Sequence, residues 1–408
     1  PEGRLTPGAS PGNTNRRMAF LVASILAILI ATLRPDGHTI PPGWTFALAS
    51  GDEAVAELIQ NLLLFIPFGA ALVLLKGDVS WQRLLLSGLT LSFTVEFLQQ
   101  WIPGRDPSLG DIVANGLSTL LGAALVWTVP RWLHSAAHRA SWLSFAAAAV
   151  AATAWLGTGW LFQPTLPHTT YYDRWTPDIP QWPNYRGKVV WAELGSVPLA
   201  DGPIGGAQDL GRTLLAAGAP LRIRAIAGPA PRASAPLLTI NDAAYRDIFI
   251  VGVDRADLLV VYRTRGAALT FSRPDLRARG ALGGVQPGDT FAVVIARDCI
   301  NTTCGLGYTI GDGWKLIYFP EHFSSWAQRL LNALWVGGGL LGVGLWSRRH
   351  PASGAALLLA ALTLALGPRM VGLNVTPVTE WLGALGGFAV GLAWRGRHTV
   401  SSLRAPPF

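Results

Sequence analysis

Three apolar stretches between Ala54 and Gly122 carry polar side chains at helical spacing. The first holds Glu57, Gln60 and Asn61, and the second ends in Glu96, Gln99 and Gln100. The third opens with Asp111, Asn115, Ser118 and Gly122, which fall on one helical face. Arg105 and Asp106 lie in the short loop between the last two. Two carboxylates offer proton acceptors, and a guanidinium offers a fork of donors for a phosphate. A charge at the centre of a membrane helix costs about 2.5–3.5 kcal/mol, so such groups face a bundle interior and mark a site. Gln60, Gln100 and Ser118 read more simply as hydrogen bonds between helices. We expect Asn61, Glu96, Gln99, Arg105, Asp111 and Asn115 to form one ligand-binding cluster just inside one membrane surface.

The chemistry open to that cluster is narrow. No serine or cysteine is paired with a histidine near it, and no metal-ligand set is expected. His134 and His138 stand four residues apart at the inner surface with no third ligand nearby. Glu96 and Asp111 remain as an acid and base for an intramembrane reaction, but no catalytic residue is assigned.

The pattern Asn61-x3-Phe65-x-Pro67-x-Gly69, then Glu96-x2-Gln99, then Arg105-x5-Asp111-x3-Asn115-x6-Gly122 resembles the VanZ-like family of bacterial membrane proteins. The likeness runs from about Met18 to Arg131. Ser118 departs from the glycine often found there. The resemblance implies a multi-span envelope protein, and the family's namesake is linked to low-level resistance to teicoplanin-type glycopeptides. It brings no established reaction with it.

The composition agrees with a membrane protein: hydrophobic residues make up 50% of the chain and charged residues 14%. The net charge of +8 invites a nucleic-acid reading, which the location of the arginines excludes. Arg16, Arg17, Lys76, Arg83, Arg131, Arg139, Arg348, Arg349, Arg395, Arg397 and Arg404 fall in alternate connections and the two tails. Arg34, Arg105 and Arg369 are the few on the other side. That is the positive-inside pattern. It predicts a plasma-membrane protein with both termini cytoplasmic.

The expected fold is a multi-span helical membrane protein of about eight transmembrane helices with an inserted extracytoplasmic β-sandwich. Its parts are a disordered tail at 1–17, a five-span domain at 18–162, a sandwich at 163–325, three further spans at 326–394 and a basic tail at 395–408. Within the sandwich, runs with a period of two begin at Leu221, Asp247, Asp257, Ala268, Thr290 and Gly313, separated by turn signals. The stretch from Asp247 to Arg265 resembles concanavalin A-like (laminin-G-type) sandwiches. That likeness implies binding of glycans or proteins, sometimes through calcium. Asp242, Asp254 and Asp257 offer oxygens for calcium, or are solvated turn residues. Trp175, Trp182, Tyr185 and Trp191 suit sugar stacking, or serve as core and interfacial anchors. Cys299 and Cys304 would close a small loop as a disulfide in an oxidising compartment.

Near the C-terminus, Glu380, Ala384, Gly387 and Gly391 repeat the spacing of Asp111, Asn115, Ser118 and Gly122, and Arg369 precedes them as Arg105 precedes the first set. This predicts a degenerate copy of the family hairpin with a second site at Arg369 and Glu380, or else ordinary small-residue packing. Three functions compete. The protein holds the headgroup of a membrane lipid or lipid-linked cell-wall precursor beneath a glycan-binding sandwich. It is instead an acid–base enzyme on such a lipid. Or it is a sensor or scaffold whose helices only anchor the sandwich.

Overall fold

The computed structural model describes residues 11–33, 53–102, 105, 107–133, 135–167, 169–179, 182–204, 219–296, 298–319 and 323–403. Residues 1–10, Arg34, the loop with Pro41 and Pro42, Asp52, Asp106, His134 and Arg404 lie outside them. The chain divides into two compact units, Pro1–Ala137 and His138–Phe408.

The first unit contains α1 (Pro11–Thr32), α2 (Ala54–Lys76), α3 (Trp81–Gln99) and α4 (Leu109–Leu133). Helix α1 therefore starts upstream of Met18, inside the stretch expected as a disordered tail. Long apolar runs without interior charge favour helices, which satisfy their own backbone groups. Asp111 in the first turn of α4 suits the positive end of that helix. Ile28, Phe65, Phe68 and Val95 bring three helices into one core. Helices α2 and α4 approach by their backbones. A methyl on Gly69 would come within 1.9 Å of the Thr119 carbonyl oxygen, and one on Gly122 within 2.1 Å of that of Ile66.

The second unit contains α5 (Ala137–Phe162), then the strands, then the closing helices. The strands are β1 (Tyr171–Trp175), β2 (Lys188–Leu194), β3 (Val197–Leu199), β4 (Leu221–Ile226), β5 (Ala235–Asp242), β6 (Asp247–Asp254) and β7 (Asp257–Tyr262). After a short helix, α6 (Arg265–Ala268), come β8 (Leu276–Ala278), β9 (Thr290–Ala296) and β10 (Cys299–Ile300). A 3-10 helix at Ile310–Leu316 leads to α7 (Ser325–Trp346), α8 (Pro351–Val371) and α9 (Val378–Leu403).

The strands form two antiparallel five-stranded sheets, ordered β1-β5-β6-β7-β8 and β10-β9-β4-β2-β3. Leu221, Ile223 and Val293 from one sheet and Leu238, Ile240, Val253 and Leu258 from the other belong to one core. Their alternation explains the second sheet: β4 buries every other residue and exposes Arg222, Arg224 and Ile226. The first sheet is buried on both faces, with Trp182 packed against Ile250, Leu259 and Val261 on the outside.

A further core joins the foot of the sandwich to the helices. Tyr308, Ile310 and Leu316 pack with Trp155 and Phe162 of α5, Val336 and Leu340 of α7, Leu364 of α8 and Ala384 of α9. Helix α5 also donates from Ser144 Oγ to the Val343 carbonyl of α7 at 2.9 Å.

Two expected strands are something else. The run from Ala268 to Phe271 follows α6, because the Thr264 hydroxyl accepts the Ala267 N–H at 3.0 Å and nucleates a helical turn. The run from Gly313 to Tyr318 lies largely in the 3-10 helix, where Thr309 and Asp312 form a capping box. Local capping outweighs the alternating pattern in both. Among the described residues, five helices are long and apolar enough to cross a membrane: α1 over Thr14–Thr32, α2, α4 over Leu109–Val129, α5 and α8. The expected spans at α3, α7 and α9 are helical but fall outside that group. Helix α9 continues to Leu403, through much of the expected basic tail.

The β5–β6 turn carries a pH-sensitive prop. The Asp242 carboxylate accepts N–H groups from Ala244 and Arg246 at 2.9 Å and Nε of Arg246 at 2.7 Å. Burial works to raise this carboxyl, but those donors outweigh it and hold it below the usual range. The stabilisation is present above the ordinary carboxylate pKa and fades as pH falls through the lowered one. Asp242→Asn is expected to cost about 1–3 kcal/mol at neutral pH, with the difference from wild type shrinking in acid. Denaturation followed by fluorescence at both pH values checks this.

Candidate functional site

The polar end of the first unit is assembled from four helices. Glu96, in the last turn of α3 and 2% exposed, accepts the Ser108 N–H at 3.0 Å, just ahead of α4. Gln99 donates to the Thr32 carbonyl at 2.9 Å, and Arg105 donates through Nη2 to the Ala31 carbonyl at 3.3 Å. Both therefore serve the C-terminal end of α1, where carbonyls have no partner within the helix. Asn61 of α2 donates to Oδ1 of Asp111 at 2.6 Å. Asn115 donates to Ser92 Oγ at 2.9 Å. The Asn115 side-chain amide oxygen, Oδ1, is buried and finds no hydrogen-bond partner among the described residues.

The structure thus joins Asn61 to Asp111 directly, and ties Glu96, Gln99 and Arg105 to the same end through the start of α4 and the end of α1. Ser118 donates to the Leu62 carbonyl, a contact between helices. A buried amide oxygen left without a donor is costly, so this one sets Asn115 apart from the other members of the cluster.

Residues 11–130 match the family model VanZ/LLP1. No curated protein and no solved structure matches the chain. The VanZ-like segment therefore ends with α4, and α5 packs with the second unit.

That second unit repeats the contacts of the VanZ-like pair α2 and α4 in its own pair α7 and α9. Gly391 closes on the Leu341 carbonyl as Gly122 does on Ile66, and Gly344 meets Phe388 as Gly69 meets Thr119. Gly387 closes on Gly337 where Ser118 bonds Leu62. One constant sequence shift per helix relates all three contacts, and it places Glu380 where Asp111 stands. The third helices differ, since α3 packs along α4 but α8 does not pack along α9.

Glu380 is fully buried. It accepts from Thr309 Oγ1 at 2.5 Å, the Gly311 N–H at 3.1 Å and Asn332 Nδ2 at 3.4 Å. Asp312 lies beside it, bonded to the Thr309 N–H at 2.7 Å and Asn332 Nδ2 at 3.0 Å and paired with Lys315 at 2.8 Å. Arg369 is exposed, and no described bond links it to Glu380. The described partners of Glu380 come from the 3-10 helix and α7. Thr309, Asp312, Lys315 and Asn332 were missed by the sequence reading. The Thr-x-x-Asp capping box at 309–312 is the one local signal that pointed to them.

In the sandwich, the acids considered for calcium are held by protein donors. Arg277 takes Asp254 at 2.5 Å, Asp275 at 2.7 Å and Asp257 at 3.5 Å, and Asp242 takes Arg246. Burial pushes the Asp275 carboxyl up, with Arg277 pulling against it. No group of three or more potential metal-ligating side chains occurs among the described residues. Cys299 and Cys304 are disulfide-bonded. Of the aromatic residues, Tyr185 is buried and accepts the Gly228 N–H at 3.3 Å, while Trp182 covers the first sheet. Trp191 is exposed on the second sheet, with the Arg224 guanidinium 5.9 Å from its ring.

Proposed function

We propose that the VanZ-like segment holds the headgroup of a membrane lipid or lipid-linked cell-wall precursor at its polar end. The carrying observation is the buried, unpartnered oxygen of Asn115 within a cluster drawn from four helices. In this reading Arg105 takes the phosphate through its fork of donors, Glu96 and Asp111 orient it, and Asn61, Gln99 and Asn115 hydrogen-bond around it. The protein sits in a bacterial plasma membrane with both termini cytoplasmic, and residues 163–325 lie outside. There the sandwich, of concanavalin A-like (laminin-G) type, binds glycan above the site. Occupancy of the lipid would change access of a teicoplanin-type glycopeptide to its membrane-anchored target. The family match and the disulfide at Cys299 and Cys304 support the placement.

Arg105→Ala and Asp111→Asn are each expected to reduce any resistance phenotype to that of a strain lacking the protein, at unchanged membrane levels. Mass spectrometry should show the copurifying lipid depleted at least tenfold in Arg105→Ala. Unchanged resistance and unchanged lipid content in both variants would refute the reading.

A sensor or scaffold role is favoured by one observation, the core that the sandwich foot shares with α5, α7, α8 and α9. Excising residues 163–325 would strip Tyr308, Ile310 and Leu316 from that core, so a surface change discriminates better. Trp191→Ala on the exposed sheet would abolish the phenotype if the sandwich carries the function and spare it if the helices do.

A further inference from the structure

The second unit contains a polar cavity of about 250 Å³ where the end of β8 meets the start of α7. Four cationic side chains line it, from Arg277, Arg279, Lys315 and Arg329, against the carboxylate of Asp275. The cations divide into two classes. Arg277 is neutralised by Asp254 and Asp275, and Lys315 by Asp312, and these pairs are largely buried. Arg279 and Arg329 are exposed and have no ion-pair partner among the described residues. The cavity therefore has a floor whose two cations are fully engaged by carboxylates and a rim whose two guanidiniums have no ion-pair partner among the described residues.

The rim is held in place. Arg279 Nη2 donates to the Phe323 carbonyl at 2.9 Å, which draws the end of β8 toward the first turn of α7. Arg329 projects from the second turn of that helix. Ser325 and Gln328 add polar groups between them, and Gln328 Oε1 is fixed by Lys315 Nζ at 3.2 Å. Exposed aromatic residues neighbour the rim residues in sequence: Trp326, beside Ser325, is 65% exposed and Tyr318, three residues after Lys315, 53%. From Leu330 onward α7 is apolar apart from Asn332 and exposes Leu330 and Leu334. Arginines and amphipathic rings above an apolar helix face form the arrangement found at a membrane–water boundary.

We propose that this cavity binds a phosphate-bearing anion, supplied as the headgroup of an anionic phospholipid, with Arg279 and Arg329 as its two charged contacts. Guanidinium forks match phosphate oxygens, and among the described residues no carboxylate pairs with either arginine, which leaves Arg329 and the part of the Arg279 fork not bonded to the Phe323 carbonyl for the ligand. The site is separate from the Arg105 cluster and stands whether or not that one binds lipid.

The test uses the full chain in detergent, titrated with dihexanoyl phosphatidylglycerol and with inorganic phosphate while tryptophan fluorescence is followed. Phosphatidylglycerol is expected to bind saturably, and Arg279→Gln with Arg329→Gln to weaken it at least tenfold at an unchanged melting temperature. Phosphate binding that shows the same loss while the lipid does not compete would keep the anion site and assign a soluble ligand. Equal affinity of wild type and the double variant for both probes, or saturation by neither, overturns the proposal. Arg105→Ala run in parallel should leave this binding unchanged, which separates it from the site of the VanZ-like segment.

Discussion

Gly387→Val is expected to leave little folded protein, whereas Gly386→Val, one residue earlier, should be nearly silent. The reason lies in the backbones of α7 and α9. A methyl at position 387 would come within 1.9 Å of the Gly337 carbonyl oxygen, and backbone cannot swing aside as a flexible side chain can. Nothing lies within 4 Å of a methyl at position 386. Valine at 387 forces the two helices apart along a seam that also holds Gly344 and Gly391. We expect a loss on the order of 3–5 kcal/mol, the upper end of what overpacking causes. Membrane-fraction yield and the melting temperature in detergent read it. Two variants with equal melting temperatures would show that the seam is not packed this way. The equivalent contact in the VanZ-like segment, Gly122 on Ile66, predicts the same outcome for Gly122→Val.

The second large effect is expected at Asp312. Its carboxylate is nearly buried, pairs with Lys315 and receives bonds from Thr309 and Asn332. Asp312→Ala leaves the Lys315 ammonium without a carboxylate partner among the described residues, with Gln328 Oε1 and the Trp314 and Phe319 rings beside it. Removing one member of a buried pair typically costs about 3–5 kcal/mol, whereas replacing both by apolar groups is often neutral. Asp312→Ala should therefore lower the melting temperature by several degrees, and Asp312→Ala with Lys315→Met should regain most of it. If the double variant melts lower than the single one, the pair is not what holds the 3-10 helix to α7.

Much of the helical part was legible because its signals are local. The polar spacing at Glu96, Asp111 and Asn115 and the glycine at 122 identified the VanZ-like segment, and the spacing at Glu380, Gly387 and Gly391 announced the second helix pair. Strands β4, β6, β7 and β9 were legible from alternation or an apolar run between turns. β5 was not: Ala235–Asp242 is buried throughout, so it presents no period of two. β2 escaped for another reason, since a register shift between Val189 and Trp191 breaks its alternation. The partners of Glu380 were out of reach because Thr309 lies 71 residues away in sequence, and only the folded chain brings it near. Arg369 was chosen by analogy with Arg105, and it is exposed on α8.

The two sheets will not respond alike to substitution. Strands β5, β6 and β7 are wrapped on both sides, so neither parity of residue there can accept a polar or oversized replacement without opening a cavity or forcing a clash. On β4 and β9 every second position points outward and can be redressed at small cost. A saturation library should therefore show continuous intolerance along one sheet and a two-residue rhythm along the other. Whatever new surface chemistry this chain acquires over time has one broad sheet face on which to appear.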